Sequence, residues 1–335
     1  MKIAILGAGA WGTAIAQSAA PRQQVTLWTI STEEALALQR DRENKRFLPG
    51  IALHSNISIT TDLPQAIQTA DLIAIVTPMG ALRDMLQKLA LLNAAAPVIC
   101  LSKGIETPAD STQIGLLAHQ VAQEVAPGIV ADTGFGIFSG PSFAKEVALG
   151  QPTAVVIASD QEHVCSTTIE ALHSDRLRIY RSNDPIGVEV GGAVKNVLAI
   201  ATGLLDGMAL GMNARAALIT RGLAEMARLG VAMGAQSHTF MGLSGLGDLV
   251  LTATGDLSRN RTVGLQLAQG KTLQQILQEL GHVAEGVYSA HSIVMAARHL
   301  GVEMPISESV VQLLDGELTV TQALDTLMQR DAKAE

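Results

Sequence analysis

A chain of 335 residues is too long for one ordinary core, so two domains are expected. Hydrophobic residues make up 48% and charged residues 16%, which supplies packed cores and leaves little that reads as disordered. The net charge of -8 argues against a broad nucleic-acid surface, although a few clustered cations would suffice for a small anionic ligand.

The N-terminus, Lys2 followed by an apolar run, has the look of a signal peptide until Gly7, Gly9 and Gly12 interrupt it and turn it into strand, turn and helix. Strands are expected at Lys2–Leu6, Gln24–Trp28, Asp71–Val76, Val98–Ser102, Gly136–Ser139, Thr153–Ala158 and Leu177–Tyr180, separated by helical segments. Strands apolar on nearly every residue suit burial on both faces, so the fold class is α/β, an N-terminal Rossmann-type doubly wound, mostly parallel sheet. After Asp184-Pro185 the character changes to long Ala/Leu/Met-rich segments at helical spacing, such as Val188–Leu205, Ala214–Met233 and Thr272–Leu280. Residues 1–185 are therefore assigned to a dinucleotide-binding domain and 186–335 to an all-α substrate domain. No run of about 18 apolar residues is unbroken, so no stable membrane insertion is expected. Cys100 and Cys165 lack metal-ligand spacing and read as inert thiols of a reducing compartment, which suggests the cytoplasm. The histidines are scattered, and no metal set emerges from them.

Gly7-Ala8-Gly9-Ala10-Trp11-Gly12 satisfies G-x-G-x-x-G directly after the first strand and at the start of a helix. Gly7 permits the tight turn, Gly9 lets backbone approach a pyrophosphate, and Gly12 lets helix and strand pack closely. The helix N-terminus offers N–H groups and partial positive charge to phosphates. Nothing else in the chain suggests a flavin, so the expected cofactor is NADP or NAD. The second strand ends Trp28-Thr29-Ile30-Ser31-Thr32, without the acid that marks NAD or the Arg that marks NADP, and the choice stays open. Glu33 and Glu34 read as the start of a helix capped by Ser31 or Thr32, and Arg40, Arg42, Lys45 and Arg46 as a solvated charge run.

Further along, Lys103 follows a strand end, where α/β sheets place ligand-binding groups. Lys195 lies between a glycine pair and an apolar helix; it either snorkels to the surface or is buried, and burial would draw its pKa from about 10.4 towards neutrality, as acid/base chemistry requires. Asp248 is a carboxylate in glycine-rich, apolar surroundings, either a helix cap or a functional group. Ser258 reads as an N-cap, which puts Arg259 and Asn260 in the first turn of a helix that Gly270 ends. A cation there opposes the helix dipole, and a bound phosphate would reverse that penalty.

Taken together, GAGAWGTA at the N-terminus, LSKGIE (Leu101–Glu106), SGPSFAKE (Ser139–Glu146), GGAVKN (Gly191–Asn196), NARAALITRGLAEM (Asn213–Met226), GLGDLVLT (Gly245–Thr252) and SRNR (Ser258–Arg261) resemble bacterial NAD(P)-dependent glycerol-3-phosphate dehydrogenase over essentially the whole chain. VAEGV at Val283–Val287 and GVEMPI at Gly301–Ile306 agree. The resemblance implies interconversion of dihydroxyacetone phosphate and sn-glycerol 3-phosphate, supplying phospholipid synthesis. It implies Lys195 as general acid/base, Lys103 polarising the carbonyl, and Asp248 orienting Lys195 or bonding substrate, with Asn196 and Thr252 nearby. Ser258, Arg259 and Asn260 would hold the substrate phosphate, and Gly140 and Ser142 would contact substrate. Ala144, Ala10 and Trp11 would meet the cofactor beside Gly7, Gly9 and Gly12; Val283 and Glu285 would meet its nicotinamide half, with Lys103 and Arg259 also within cofactor reach. A homodimer through the helical domain is compatible with this picture. A sibling two-domain reductase, or a sensor binding dinucleotide without catalysis, is the alternative; a sensor would not need Lys103, Lys195, Asp248 and Arg259 together.

Overall fold

A computed structural model describes residues 1–108, 114–280 and 283–328. His282 lies outside the described residues. The chain divides into two compact units, Met1–Lys103 with Leu117–Val188, and Gly104–Leu116 with Glu189–Glu335.

In the first unit the elements are β1 (Lys2–Leu6), α1 (Ala10–Ala19), β2 (Gln24–Trp28), α2 (Thr32–Asp41), β3 (Ile57–Thr60), α3 (Leu63–Ile67), β4 (Leu72–Ile75), α4 (Leu82–Leu91), β5 (Val98–Cys100), α5 (Ala118–Val125), β6 (Phe135–Ser139), α6 (Ala144–Ala148), β7 (Thr153–Ala158), α7 (Glu162–Leu172) and β8 (Leu177–Ser182). One eight-stranded sheet runs β3-β2-β1-β4-β5-β6-β7-β8. All pairs are parallel except β6 with β7. Chain order reverses direction between β1 and β4, the switch point at which doubly wound sheets open a crevice at their C-terminal edge. β4 and β5 are apolar at every position, and β1 at every position after Lys2, because helices cover both faces; Ile3, Ile5, Ile73, Ile75 and Ile99 are essentially without solvent exposure.

Strand β3 escapes the sequence reading: ISIT has two apolar residues alternating with polar ones, the pattern of an edge strand buried on one face. Arg42 holds it. In left-handed conformation at the end of α2, Arg42 donates from its guanidinium to the carbonyls of His54 and Ile57. It is therefore a fold residue, and the surrounding run separates into ion pairs: Arg40 and Lys45 on Asp41, and Arg46 on Glu34.

The second unit holds α8 (Pro185–Gly207), α9 (Gly211–Ala232), α10 (Asp248–Thr254), α11 (Arg259–Ala268), α12 (Leu273–Leu280), α13 (Glu285–His299), α14 (Pro305–Leu314) and α15 (Val320–Met328), with the first turn of α8 still counted in the first unit. The Asp184 carboxylate accepts from the Gly187 N–H and so fixes where α8 begins. By length and composition α8 could cross a membrane, but its apolar stretch is wholly buried in the fold, as in a core helix. The crossing of α8 with α11 is made by glycines: a Cβ on Gly203 would sit 2.0 Å from the Arg261 carbonyl oxygen, and one on Gly264 would sit 2.0 Å from that of Ile200. Segment Gly104–Leu116, which sequence reading kept with the first domain, belongs to this unit, where the Thr107 hydroxyl donates to the Tyr288 carbonyl. Both cysteines are buried and neither is in a disulfide, and burial pushes the Cys165 thiol up from its usual range.

Charged members of the Asn213–Met226 motif serve this packing. Arg215 and Arg261 converge on Asp206, near the end of α8. Glu225 is 1% exposed and caps α14 from outside, accepting from the Ile306 and Ser307 N–H groups and the Ser307 hydroxyl. Burial, opposed by those bonds and by Arg228, pushes its carboxyl up to about 7. The folded value lies above the unfolded one, so this contribution to stability is complete below the ordinary carboxyl value of 4.5 and is lost as pH rises through about 7. Glu225→Gln is expected to flatten the fall in melting temperature across that window, worth up to about 3 kcal/mol, measured by thermal unfolding at stepped pH.

Candidate active site

Around the glycine turn, geometry follows the backbone's needs. The Gly7 N–H donates to the Trp28 carbonyl at 2.9 Å, which ties the turn to the end of β2. Gly7 has φ of +125°, and a Cβ there would meet the Val76 carbonyl oxygen at 2.9 Å. A Cβ on Gly12 would fall 1.9 Å from the Gly7 carbonyl oxygen, so α1 can approach β1 only with glycine there. Gly9, by contrast, faces open space, with nothing within 4 Å of a Cβ position, and it begins α1 without a side-chain cap. Ala10 is the first residue of α1. Trp11 packs against a buried cluster of Ala14, Leu48, Ile51 and Val147, and so do Ala144 and Ala148 of α6, which brings two expected cofactor residues, Trp11 and Ala144, to one cluster. The Trp11 indole N–H is buried without a hydrogen-bond partner among the described residues. An open backbone cradle at a helix start, beside an orphaned donor, fits a dinucleotide pyrophosphate.

Lys103, Gly140 and Ser142 come together at the C-terminal ends of β5 and β6. The Lys103 ammonium donates to the Gly140 carbonyl at 3.0 Å, and the Ser142 hydroxyl donates to the same oxygen at 2.9 Å. Gly140 has φ of +136°, a turn that aims this carbonyl at the lysine. The Ser139 hydroxyl, next to Gly140 at the end of β6, and the Thr77 hydroxyl, just past β4, are buried and lack a hydrogen-bond partner among the described residues.

In the helical unit Lys195 does not snorkel. It is 6% exposed, midway along α8, and its Nζ donates to Asp248 Oδ1 at 2.5 Å and to Thr252 Oγ1 at 3.0 Å. Asp248 is 1% exposed at the first position of α10, where a carboxylate also suits the helix dipole. Thr252, one turn on, donates its own proton to the Asp248 carbonyl at 2.7 Å, which leaves its lone pairs turned to the ammonium. Gly191 makes this possible: a Cβ there would lie 2.3 Å from the Ser244 carbonyl oxygen, so only a glycine lets α8 approach the turn that leads into Asp248.

Asn196, next to Lys195, is buried and pairs with Asn260. The Asn260 amide donates to Asn196 Oδ1 at 2.9 Å, and its oxygen accepts from the Gly286 N–H at 3.0 Å. This pair joins α8 to the starts of α11 and α13, and so sets Val283 and Glu285 beside the SRNR helix start. Ser258 is the N-cap, its hydroxyl oxygen accepting from the Arg261 N–H. The two arginines separate here. Arg261 is used internally, on Asp206 at 2.8 Å and Asp256 at 3.1 Å. Arg259, at the first position of α11, keeps part of its side chain in solvent, while burial of its guanidinium end draws that group down from the ordinary value against the opposing charge of Glu285.

Known sequences resolve the family. The profile of the NAD-dependent glycerol-3-phosphate dehydrogenase N-terminus matches residues 2–165, and that of the C-terminus matches 184–325. The chain belongs to the NAD-dependent glycerol-3-phosphate dehydrogenase family. A glycerol-3-phosphate dehydrogenase [NAD(P)+] of Acidovorax sp. (strain JS42) is 58% identical over 100% of this chain and 99% of its own. That of Variovorax paradoxus is 58% identical over 99% of this chain and 98% of its own. The crystal structure of glycerol-3-phosphate dehydrogenase from Coxiella burnetii superposes with TM-score 0.90 at 39% identity, covering 98% of this chain and 99% of that one.

As a member of this dehydrogenase family the chain is an enzyme that uses NAD or NADP, and the open turn at Gly7–Gly12 has the form of a cradle for such a group. Two features of that cradle escaped the sequence. Asn44 donates to the Ala8 carbonyl at 2.8 Å and to the Thr13 hydroxyl at 2.7 Å, pinning the glycine turn from a distant loop. Nothing marks Asn44 in a run of charged residues. The second feature is Glu34, whose backbone N–H is capped by Ser31 as expected but whose carboxylate folds back to the Thr29 hydroxyl at the end of β2.

Proposed function

We propose that the chain reduces dihydroxyacetone phosphate to sn-glycerol 3-phosphate, and the reverse, with Lys195 as the general acid/base. The observation that carries this reading is the buried Lys195–Asp248–Thr252 set, since a lysine so enclosed and so oriented has no role on a protein surface. When bound, the dinucleotide supplies the hydride. In the reductive direction the Lys195 ammonium gives its proton to the alkoxide oxygen, while Asp248 and Thr252 hold Nζ in place for that transfer. Lys103, fixed by the Gly140 carbonyl, stabilises negative charge developing on the same oxygen. Ser142 and Gly140 shape the substrate side of that edge. Ser258, Arg259 and the N–H groups at the start of α11 bind the phosphate, with Asn260 and Asn196 holding the helix start in place. Val283 and Glu285 meet the nicotinamide half. The product serves as the backbone precursor of glycerophospholipids, and a cytoplasmic setting accords with two buried thiols that form no disulfide.

The test is consumption of NADH and, separately, NADPH with dihydroxyacetone phosphate, followed by loss of nicotinamide absorbance. Oxidation of either is expected; folded protein that binds dinucleotide yet oxidises neither would overturn the substrate assignment.

A further inference from the structure

The family accommodates both nicotinamides, and the end of β2 carries neither an acid nor an arginine, so the basis of choice must lie off the strand. The Gly7 N–H is bonded to the carbonyl of Trp28, the last residue of β2. The adenosine ribose of a dinucleotide laid along such a turn sits over the end of the second strand, where an acid about 20 residues past the glycine motif accepts from its hydroxyls. Thr29 occupies that strand end and is 3% exposed. Its hydroxyl donates to Glu34 Oε2 at 2.8 Å, drawing the carboxylate of α2 back to the place a strand-end acid would fill. Arg46 donates to the other oxygen, Oε1, at 3.0 Å and lies over the Phe47 ring at 4.8 Å.

We propose that Glu34, tethered by Thr29 and braced by Arg46, reads the adenosine ribose and biases the enzyme towards NADH over NADPH. Each carboxylate oxygen has two acceptor sites, so one bond from Thr29 and one from Arg46 leave Glu34 able to accept from the ribose diol. A 2′-phosphate brought to the same place meets a carboxylate that cannot donate to it. Arg46 offsets that repulsion without removing it, because its side chain is 65% exposed and screened by water while the Glu34 side chain is 26% exposed. Thr29 is a positioning residue here, and Glu34 is the one that discriminates.

This reading rests on the dinucleotide lying along the Gly7–Gly12 cradle. Equilibrium dissociation constants for NADH and NADPH, from nucleotide fluorescence or calorimetry on the full chain, test it without turnover. Wild type is expected to bind NADH more tightly. Glu34→Gln, which keeps the shape and the Thr29 bond, is expected to improve NADPH relative to NADH by roughly tenfold. Arg46→Ala, which leaves Glu34 uncompensated, is expected to weaken NADPH and spare NADH. An unchanged NADH-to-NADPH ratio in Glu34→Gln would overturn the role of Glu34. Tighter binding of NADPH by wild type, abolished in Arg46→Ala, would give the discrimination to the arginine instead. Failure of wild type to bind either nucleotide would sink the placement of the cofactor itself, a result distinct from the other two.

Discussion

Lys195→Ala is expected to lower turnover by roughly 10²- to 10⁴-fold while dinucleotide affinity is retained. The loss has a chemical part, because no other described group donates from the position of Nζ between Asp248 and Thr252. It also has a structural part. Asp248 is 1% exposed, and removing its lysine partner leaves a buried carboxylate whose cost, by analogy with other broken buried pairs, is about 3–5 kcal/mol. A destabilised protein could lose activity for that reason alone, so Asp248→Asn is the informative companion. It keeps the volume and one acceptor oxygen for Nζ, and it removes the charge that orients the ammonium. Turnover of Asp248→Asn should fall while its melting temperature changes less than that of Lys195→Ala. The measurements are kcat with saturating dihydroxyacetone phosphate, the melting temperature, and NADH binding on all three proteins. Wild-type turnover in folded Lys195→Ala would remove the lysine from the chemistry.

Legibility in the sequence followed how local each signal is. Gly7, Gly9 and Gly12 could be given separate tasks from spacing alone, because each task is set by backbone within a few residues, and the contacts at Gly7 and Gly12 are of the kind expected. The Ser258 cap and the Gly270 stop of α11 were equally local. Strand β3 was not legible, since an edge strand of four residues with two apolar ones is too weak a pattern to stand apart from its loop. Asn44 and Glu34 were hidden for another reason. Their partners, Ala8 and Thr13 for one and Thr29 with Arg46 for the other, are fixed by how β1, β2 and the loop after α2 assemble. Burial of Lys195 stood open as well, because an apolar helix with one lysine fits both a snorkelling and an enclosed side chain. What closes that question is the approach permitted at Gly191, a tertiary contact no spacing reveals. In the same way Gly104–Leu116 carries no composition that would assign it to the helical unit rather than to the sheet.

Arg259→Ala is expected to raise the KM for dihydroxyacetone phosphate by roughly ten- to a hundredfold, the worth of a hydrogen bond to a charged group. Spacing from the Ser258 cap puts Arg259 rather than Arg261, two residues on in SRNR, at the helix start. The structure separates them by partner: Arg261 is locked to Asp206 and Asp256, and Arg259 stands at the first position of α11, in a turn that contains no acidic residue. A cation at that end opposes the helix dipole, so Arg259→Ala should leave the melting temperature unchanged or slightly raised, by the equivalent of about 0.3–1 kcal/mol. Arg261→Ala should do the opposite. It strips Asp206 of one of its two arginines and loosens the joint between α8, α9 and α11, lowering the melting temperature first. Inorganic phosphate supplies an independent readout, since it should compete with substrate in wild type and lose that effect in Arg259→Ala. If KM and phosphate inhibition respond to Arg261 and not to Arg259, the start of α11 is a packing device and the phosphate is held elsewhere. If they respond to Arg259 with stability intact, a residue unfavourable to its own helix is there for the ligand.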